Sequence, residues 1–289
     1  MRISLCKVSS TAPRAWLCAL VVLFGMPVPV EAQVTAARIT NAAAEPNNWL
    51  TYSGGYASQR YSTLEQITRA NVQDLELAWI LPNQVAGAWQ STPLVVDGIM
   101  YVTQRPNDVL AVDTKTGRVF WQYRHQASAD ARVCCGANNR GVAILGERLF
   151  MGTLDGRLIA LDARSGTSLW NVAVGDPALG YSLTLAPLVV KDKVLVGVGG
   201  GEYGIRGFIA AFDAATGAEL WRFYTIPGPG EPGHESWEND AWKTGGGSIW
   251  VTPSYDPELN LTYWGVGNPG PDWNPNQRPG DNLYTESVV

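Results

Sequence analysis

Runs of branched apolar residues, each interrupted by a short polar turn, recur along the chain. The run "PLVVDGIMYVT" begins at Pro93, "GVAILGERLFMGT" at Gly141 and "APLVVKDKVLVGV" at Ala186. Short apolar runs separated by a few turn-forming residues are typical of two strands joined as a hairpin. The pattern therefore predicts three β-hairpins at similar spacing.

Each hairpin is followed by a second shared segment. Residues 111–121, 160–170 and 211–221 all fit the frame A-x-D-x-x-[TS]-G-x-x-x-W, and their tryptophans lie 49 and 51 residues apart. A unit of about 50 residues with several short strands and a terminal Trp is typical of a propeller blade, in which the Trp packs between neighbouring sheets. The sequence thus predicts an all-β propeller with three nearly complete blades.

Partial blades are expected on both sides of these three. The segment "NVQDLELAW", which ends at Trp79, resembles the last strand of an earlier blade, and residues 248–268 resemble the start of a later one. A propeller closes on itself and so removes open sheet edges. Because residue 289 comes where another D-x-x-T-G turn is due, we expect the chain to be part of a longer propeller. The repeated residues are assigned to architecture: Trp79, Trp121, Trp170, Trp221, Asp113, Asp162 and Asp213.

The N-terminus has the pattern of a secretory signal peptide. Three basic residues precede or flank an apolar run from Ala15 to Val30, and small residues favour cleavage after Ala32. Gly25, Pro27 and Pro29 interrupt that run, which argues against a retained membrane anchor. We therefore expect a signal peptide over residues 1–32, a periplasmic location and a partial propeller domain over residues 33–289.

The charge balance bears on the class of partner. The formal net charge of the chain is −5, and loss of the basic leader makes the remainder more acidic. An acidic surface disfavours nucleic acid as a partner. The 46% of hydrophobic residues and the 31 glycines are ordinary for a folded, turn-rich protein.

Two adjacent cysteines, Cys134 and Cys135, break the repeat pattern. They are the only cysteines after Ala32, and thiols tend to pair in an oxidising compartment. A disulfide between neighbours closes a small, strained ring, and such strain usually indicates a functional site. The alternatives are a reduced pair in a soft-metal site and two packed thiols. Export disfavours both, as does the lack of a further cysteine.

Three other features also depart from the repeat. Glu202 lies in the glycine-rich stretch "GVGGGEYGIRGF", where a backbone without side chains can approach a ligand closely. Asn268 in "GVGNPGPDWN" offers a carbonyl oxygen, and Trp250 stands outside the blade-ending position. Carboxylate and amide oxygens suit a hard cation such as Ca²⁺, although a glycine-rich bulge at a strand end is the commoner structure.

Together, "CCGANNRG", "GYSLTLAP", "GGGEYGIRGF", "GHESWENDAWKTGGGSIW" and "GVGNPGPDWN" resemble the quinoprotein alcohol dehydrogenases in both motif and order. The resemblance runs from about Trp49 to the end of the chain. It implies a periplasmic eight-bladed β-propeller that carries pyrroloquinoline quinone (PQQ) and a Ca²⁺ or lanthanide ion. On this basis the chain covers about half of the blades, from the N-terminal side.

The resemblance also implies roles for individual residues. The Cys134–Cys135 disulfide is expected against one face of the quinone, Trp250 against the other face, and Arg140 on a cofactor carboxylate. The remaining expected cofactor contacts are Gln90, Thr184, Gly200, Gly201 and Ser248. Many relatives have Glu where this chain has Gln90, which can form a hydrogen bond but carries no charge.

Glu202 and Asn268 correspond to two protein ligands of the metal. In this family the metal polarises the quinone carbonyl, an Asp takes the hydroxyl proton of a small alcohol, and hydride passes to the quinone. The product is an aldehyde, and the electrons leave for a cytochrome c. The general base is expected beyond Val289.

Two other functions stay open at this point. One is a non-enzymatic exported propeller, which acts as a scaffold or binding protein and has no need of the combined Cys134–Cys135, Glu202, Trp250 and Asn268 set. The other is a PQQ-dependent sugar or polyol dehydrogenase, whose members commonly lack adjacent cysteines. The sequence leaves open the alcohol, the choice between calcium and lanthanide, and whether the protein forms a homodimer.

Overall fold

Three four-stranded antiparallel sheets follow one another along the chain. The computed structural model describes residues 34–83 and 85–289, so the predicted signal peptide lies outside the described residues. The sheets contain β1 (Leu94–Val96), β2 (Ile99–Gln104), β3 (Asp108–Asp113) and β4 (Val119–Arg124); β5 (Val142–Leu145), β6 (Arg148–Gly152), β7 (Arg157–Asp162) and β8 (Ser168–Ala173); and β9 (Leu188–Val190), β10 (Lys193–Gly197), β11 (Phe208–Asp213) and β12 (Glu219–Tyr224).

The sheets are consecutive blades of a β-propeller, as predicted. Each meanders in sequence order, and each has a register shift at the same place, after Ala111, Ala160 and Ala211. The first three strands of each blade are mostly buried, whereas the fourth has no fully buried residue. This difference is expected of an outer strand with one solvated face. A further hairpin of β13 (Ser254–Asp256) and β14 (Leu261–Tyr263) begins the next blade.

The helical elements are short. Helix α1 spans Ala36–Thr40, and 3₁₀ turns lie at Ala42–Ala44, Val72–Asp74, Pro177–Leu179, Gly201–Tyr203, His234–Ser236 and Ala241–Thr244. Among the described residues, no helix has the length and apolar character required to cross a membrane.

The repeated tryptophans join neighbouring blades, as the sequence indicates. The Trp121 indole donates to Ala163 O at 3.1 Å and lies over Gly166, in the D-x-x-S-G turn of the next blade. Asp162 Oδ1 closes that turn by accepting from the Ser165 amide at 2.8 Å. Trp170 makes the equivalent bond to Ala214 O at 3.3 Å. Each blade therefore docks through its last strand onto the turn of the blade that follows.

The prediction of a strand ending at Trp79 is wrong in one respect. The Trp79 indole makes the expected contact, since it donates to Thr114 O at 3.0 Å and packs on Gly117. The preceding residues are irregular, however, because in the described part of the chain no neighbouring strand pairs with them. A strand is maintained by its partner, so the tryptophan contact alone does not produce one.

Candidate functional site

A cavity of about 360 Å³ lies where the segments that precede successive blades meet. We call the residues just before the first strand of a blade its lead-in segment. Four cavity residues stand four positions before β1, β5, β9 and β13, namely Gln90, Asn138, Thr184 and Trp250. The repeat of the fold thus brings equivalent positions of four blades to one place. The volume lies within the usual range for small-molecule sites.

Main-chain hydrogen bonds hold the lead-in segments against one another. The Thr92 amide donates to Arg140 O at 3.0 Å, and the Arg140 amide donates to Thr184 O at 3.1 Å. The amide of Ile249, a fully buried residue, donates to Val198 O at 2.7 Å and so fixes the backbone beside Trp250. The cavity walls are therefore part of the sheet scaffold, which keeps the site rigid.

Cys134 and Cys135 are joined by a disulfide at the edge of this cavity. Cys135 has a left-handed backbone with φ of 64°, which is uncommon for a residue other than glycine. Asn138 Nδ2 donates to Cys135 O at 2.9 Å, and the Asn138 side chain is almost fully buried. This hydrogen bond holds the turn that carries the disulfide.

Arg140 brings a positive charge to the cavity, and no carboxylate of residues 34–83 or 85–289 neutralises it. Its guanidinium donates to Thr184 O at 3.3 Å and lies 5.0 Å from the centroid of the Trp250 ring. No carboxylate forms an ion pair with Arg140 among the residues the structure describes. Burial lowers the pKa of Arg140 below its ordinary value, yet an arginine remains charged at neutral pH. A half-buried cation without a partner suits an anionic ligand group.

Trp250 offers an aromatic surface to the same cavity. Its side chain is 47% exposed, although large aromatic side chains usually bury most of their area. Ser248, two residues earlier, is buried, and its carbonyl accepts from the Gly267 amide at 2.8 Å. The indole is thus exposed on a firmly bonded backbone, an arrangement suited to stacking against a planar ligand.

Glu202 projects from a tight glycine-flanked turn. Gly200, which precedes the turn, has φ of 112°, and a Cβ there would collide with the Gly180 carbonyl oxygen. Only glycine therefore fits this position without displacing the backbone. A Glu202 carboxylate oxygen lies within 4.8 Å of both cysteine sulfurs. Within residues 34–83 and 85–289 no hydrogen bond or ion pair satisfies this carboxylate, which leaves it available to a cation.

Asn268 lines the same cavity as Glu202. Its carbonyl oxygen on the main chain accepts from the Gly247 amide at 2.9 Å. Its side-chain Nδ2 donates to Asp272 Oδ1 at 2.8 Å and to Pro269 O at 3.2 Å. With the amide nitrogen engaged in this way, the side-chain oxygen is the atom that can bind a metal.

The donor set fits PQQ and its metal. A flat group with carboxylates can use the exposed indole, the sulfur ring and the unpaired guanidinium. A hard cation can use the unpartnered carboxylate of Glu202 and the amide oxygen of Asn268.

Ten of the eleven site residues predicted from the sequence line this cavity, and one does not. The ten are Gln90, Cys134, Cys135, Arg140, Thr184, Gly200, Glu202, Ser248, Trp250 and Asn268. Gly201 is half-buried and does not line the cavity. A Cβ at this position would come within 3.1 Å of Ser248 Oγ, so its backbone packs closely against the Ser248 side chain.

Sequence reasoning missed four lining residues: Gly136, Asn138, Ser182 and Gly199. A signal for Asn138 was present, since it precedes Gly141 by the same three residues that separate Gln90, Thr184 and Trp250 from Pro93, Pro187 and Pro253. Ser182 and Gly199 form a reciprocal pair of main-chain bonds that joins two segments far apart in sequence.

Comparison with known proteins identifies the family of this chain. A protein-family model described as "Glucose/ethanol/alcohol dehydrogenase, beta-propeller domain", designated PQQ, matches residues 49–289. Quinohemoprotein alcohol dehydrogenase ADH IIB of Pseudomonas putida is 46% identical over 270 residues, which cover 88% of this chain and 39% of that relative.

Two solved structures are also similar to this chain over most of its length. Quinohemoprotein alcohol dehydrogenase ADHIIG of Pseudomonas putida HK5 superposes with a TM-score of 0.81 at 42% identity, over 89% of this chain and 41% of that one. A europium-containing methanol dehydrogenase superposes with a TM-score of 0.80 at 39% identity, over 87% of this chain and 50% of that one. The chain therefore spans half or less of the length of these relatives.

Proposed function

The chain belongs to the PQQ-designated glucose/ethanol/alcohol dehydrogenase β-propeller family, and from this membership we propose that it forms part of a dehydrogenase that oxidises small alcohols to aldehydes. The family supports PQQ as the cofactor. The europium-containing methanol dehydrogenase among the similar structures supports a Ca²⁺ or lanthanide ion beside it.

One observation carries this proposal: a single cavity combines an adjacent-cysteine disulfide, an exposed indole, an unpaired guanidinium and an unpartnered carboxylate. Each feature alone occurs in proteins without this chemistry. A scaffold protein has no need to bring all four together from three different blades.

The cavity residues have the following proposed roles. Cys134–Cys135 and Trp250 bind the faces of a planar ring and exclude water from it, while Arg140 orients the ring through a carboxylate. Glu202 and Asn268 hold the cation. PQQ bound there together with the cation would supply the hydride acceptor for alcohol oxidation. Glu202 is the only carboxylate that lines the cavity in the described part of the chain, so we assign the general base to a residue beyond Val289.

We also propose export to the periplasm with cleavage after Ala32, and one partial propeller domain over residues 33–289. The basic, apolar and small-residue order of residues 1–32 supports the export. A cytochrome c is the proposed electron acceptor, which agrees with the word quinohemoprotein in the names of two relatives.

The test uses the full-length protein expressed with its leader. It is reconstituted with PQQ and either Ca²⁺ or a light lanthanide, and reduction of an artificial dye is assayed with short alcohols and with sugars. Matched samples without quinone or without metal serve as controls. We expect dye reduction with alcohols only when both quinone and metal are present.

Two outcomes would contradict the proposal. Activity with sugars or polyols alone would favour the second type of dehydrogenase. Failure of a folded protein to bind PQQ with either ion would favour the non-enzymatic scaffold.

A further inference from the structure

The hydrogen bonds of Asn268 determine which atom of its side chain is left for a metal. Its Nδ2 donates to Asp272 Oδ1 at 2.8 Å and to the Pro269 carbonyl at 3.2 Å. Both partners can only accept hydrogen bonds, so the nitrogen must face them. Asp272 therefore leaves the Asn268 oxygen, and not the NH₂ group, available to a cation.

Both ends of this contact are fixed by other bonds. On one side the Gly247 amide binds Asn268 O at 2.9 Å, and the Gly270 amide binds Gly245 O at 2.7 Å. On the other side the half-buried Arg278 donates to Pro271 O at 2.9 Å and to Asp272 O at 3.5 Å. The backbone that carries the Asp272 carboxylate is thus held by bonds within the protein, and the exposed carboxylate itself accepts from Asn268 Nδ2.

We propose that Asp272 is a positioning residue of the metal site, which presents Asn268 Oδ1 to the cation and makes the site favour a trivalent over a divalent ion. This inference rests on the proposed metal-binding function of Glu202 and Asn268. Asp272 itself does not line the cavity, so it acts through Asn268 and not as a ligand.

The two effects of Asp272 have separate physical origins. The first is orientation, since a flipped amide would direct two N–H groups at the cation and remove a ligand. The second is charge, since a carboxylate behind the amide adds a negative potential that attracts a cation in proportion to the charge of that cation. Such hydrogen-bonded partners of metal ligands typically change metal affinity by about tenfold or more.

Two substitutions separate these effects. Asp272→Asn keeps an oxygen that accepts from Asn268, so it removes the charge alone. Asp272→Ala removes both the charge and the acceptor. Glu258→Gln is the matched control, because Glu258 is an exposed acidic residue in the β13–β14 turn that does not line the cavity.

The measurement is equilibrium titration of metal-free, full-length protein with Ca²⁺ and with Tb³⁺, at saturating PQQ. For Asp272→Asn, we expect the ratio of Tb³⁺ to Ca²⁺ affinity to fall about threefold or more. Tb³⁺ carries one more unit of charge than Ca²⁺, and the attraction of one unit charge to a nearby carboxylate in a water-like dielectric is of this size. For Asp272→Ala, we expect the Ca²⁺ affinity to fall about tenfold and the Tb³⁺ affinity to fall further, so that their ratio is lowered as in Asp272→Asn. Glu258→Gln should change neither value by more than about twofold.

Equal affinities in wild type, Asp272→Asn and Asp272→Ala would overturn the proposal and leave Asp272 a role in loop structure. A parallel loss for both ions in Asp272→Asn, without a change in their ratio, would also contradict the charge effect. Circular dichroism checks that each variant is folded. A wild-type protein that binds neither PQQ nor metal would instead contradict the proposed function.

Discussion

The guanidinium carbon of Arg140 lies 5.0 Å from the centroid of the Trp250 ring, although the two residues are separated by two complete blades in sequence. Arg140 precedes β5, and Trp250 precedes β13. Their contact places a cation and an aromatic surface side by side in the cavity, where a planar anionic ligand can use both.

Substitution of Arg140 by Lys is expected to weaken PQQ binding by about tenfold or more, because an ammonium keeps the charge but loses the planar, two-pronged contact with a carboxylate. The measurement is the dissociation constant of PQQ, determined by equilibrium dialysis of the full-length protein. Arg118→Lys is the matched control, since Arg118 also lies 5.0 Å from an aromatic centroid, that of Phe120, but does not line the cavity. Equal PQQ affinity in both variants would show that Arg140 does not bind the cofactor.

Replacement of both cysteines in the double variant Cys134→Ser, Cys135→Ser is expected to weaken PQQ binding and to impair dye-linked electron transfer. The disulfide ring is a rigid surface, and two hydroxyl groups without a covalent link cannot keep its shape. Treatment of the wild type with a dithiol reductant should reproduce the loss, whereas the double variant should not respond. Unchanged binding and activity in the variant would count against a role of the disulfide in stacking.

The sequence was informative where a residue type repeats with the fold. Trp121 and Trp170 occur at equivalent positions, and both donate to a carbonyl in the next blade. Trp250 and Glu202 stood out for the opposite reason, since they break that repeat. Both kinds of signal depend only on the order of residues along the chain.

Hydrogen bonds that depend on the shape of a turn were not predictable in this way. Asn138 Nδ2 donates to Cys135 O and Asn268 Nδ2 donates to Asp272 Oδ1, each across three or four residues, and the residue order does not specify the turn geometry that brings these atoms together. The prediction of a strand ending at Trp79 was wrong for a related reason. A strand needs a neighbouring strand to pair with, and a local sequence pattern does not show whether that neighbour is present.

Gly166→Ala is expected to destabilise the protein more than Gly146→Ala. Both glycines have a positive φ, 72° and 61°, which costs an alanine about 1–2 kcal/mol. A Cβ at Gly166 would also come within 2.5 Å of Trp121 Cε3, whereas a Cβ at Gly146 meets nothing within 4 Å. Gly166→Ala should therefore lose about 1–3 kcal/mol more stability than Gly146→Ala, as is typical of an overpacked contact. Thermal unfolding should show this as a lower Tm for Gly166→Ala. Equal losses would show that the tryptophan contact contributes little.

The stability of the protein is expected to depend on Asp155 above about pH 4 and to lose that contribution in acid. Burial alone would raise the pKa of Asp155, but hydrogen bonds from His125, Thr153 and the Ser128 amide outweigh it and hold the pKa well below its ordinary value. A lowered folded-state pKa stabilises the fold above the unfolded-state pKa, and the effect disappears as the pH falls and the carboxylate takes up a proton.

Asp155→Asn should accordingly lower the free energy of unfolding by about 2–4 kcal/mol at pH 7, because it removes the carboxylate charge from the buried contact between Asp155 and His125. The difference from wild type should shrink below about pH 4. Asp240→Asn is the control, since the Asp240–Lys243 pair is largely exposed and contributes about 0–1 kcal/mol. A difference between Asp155→Asn and wild type that is independent of pH would contradict this assignment.

Glu202→Gln is expected to remove metal binding without lowering the stability of the metal-free protein. The Glu202 carboxylate makes no hydrogen bond or ion pair with the described residues, so loss of its charge breaks no contact there. In the wild type, saturation with metal should raise Tm, because a ligand that binds only the folded state stabilises it as RT ln(1 + [L]/Kd). The variant should have the Tm of the metal-free wild type and show little or no rise with Ca²⁺ or a lanthanide. Glu235→Gln, at an exposed acidic residue outside the cavity, should keep the full metal-induced rise. If metal raised the Tm of Glu202→Gln as much as that of the wild type, other groups would bind the cation, and Glu202 would not be a ligand.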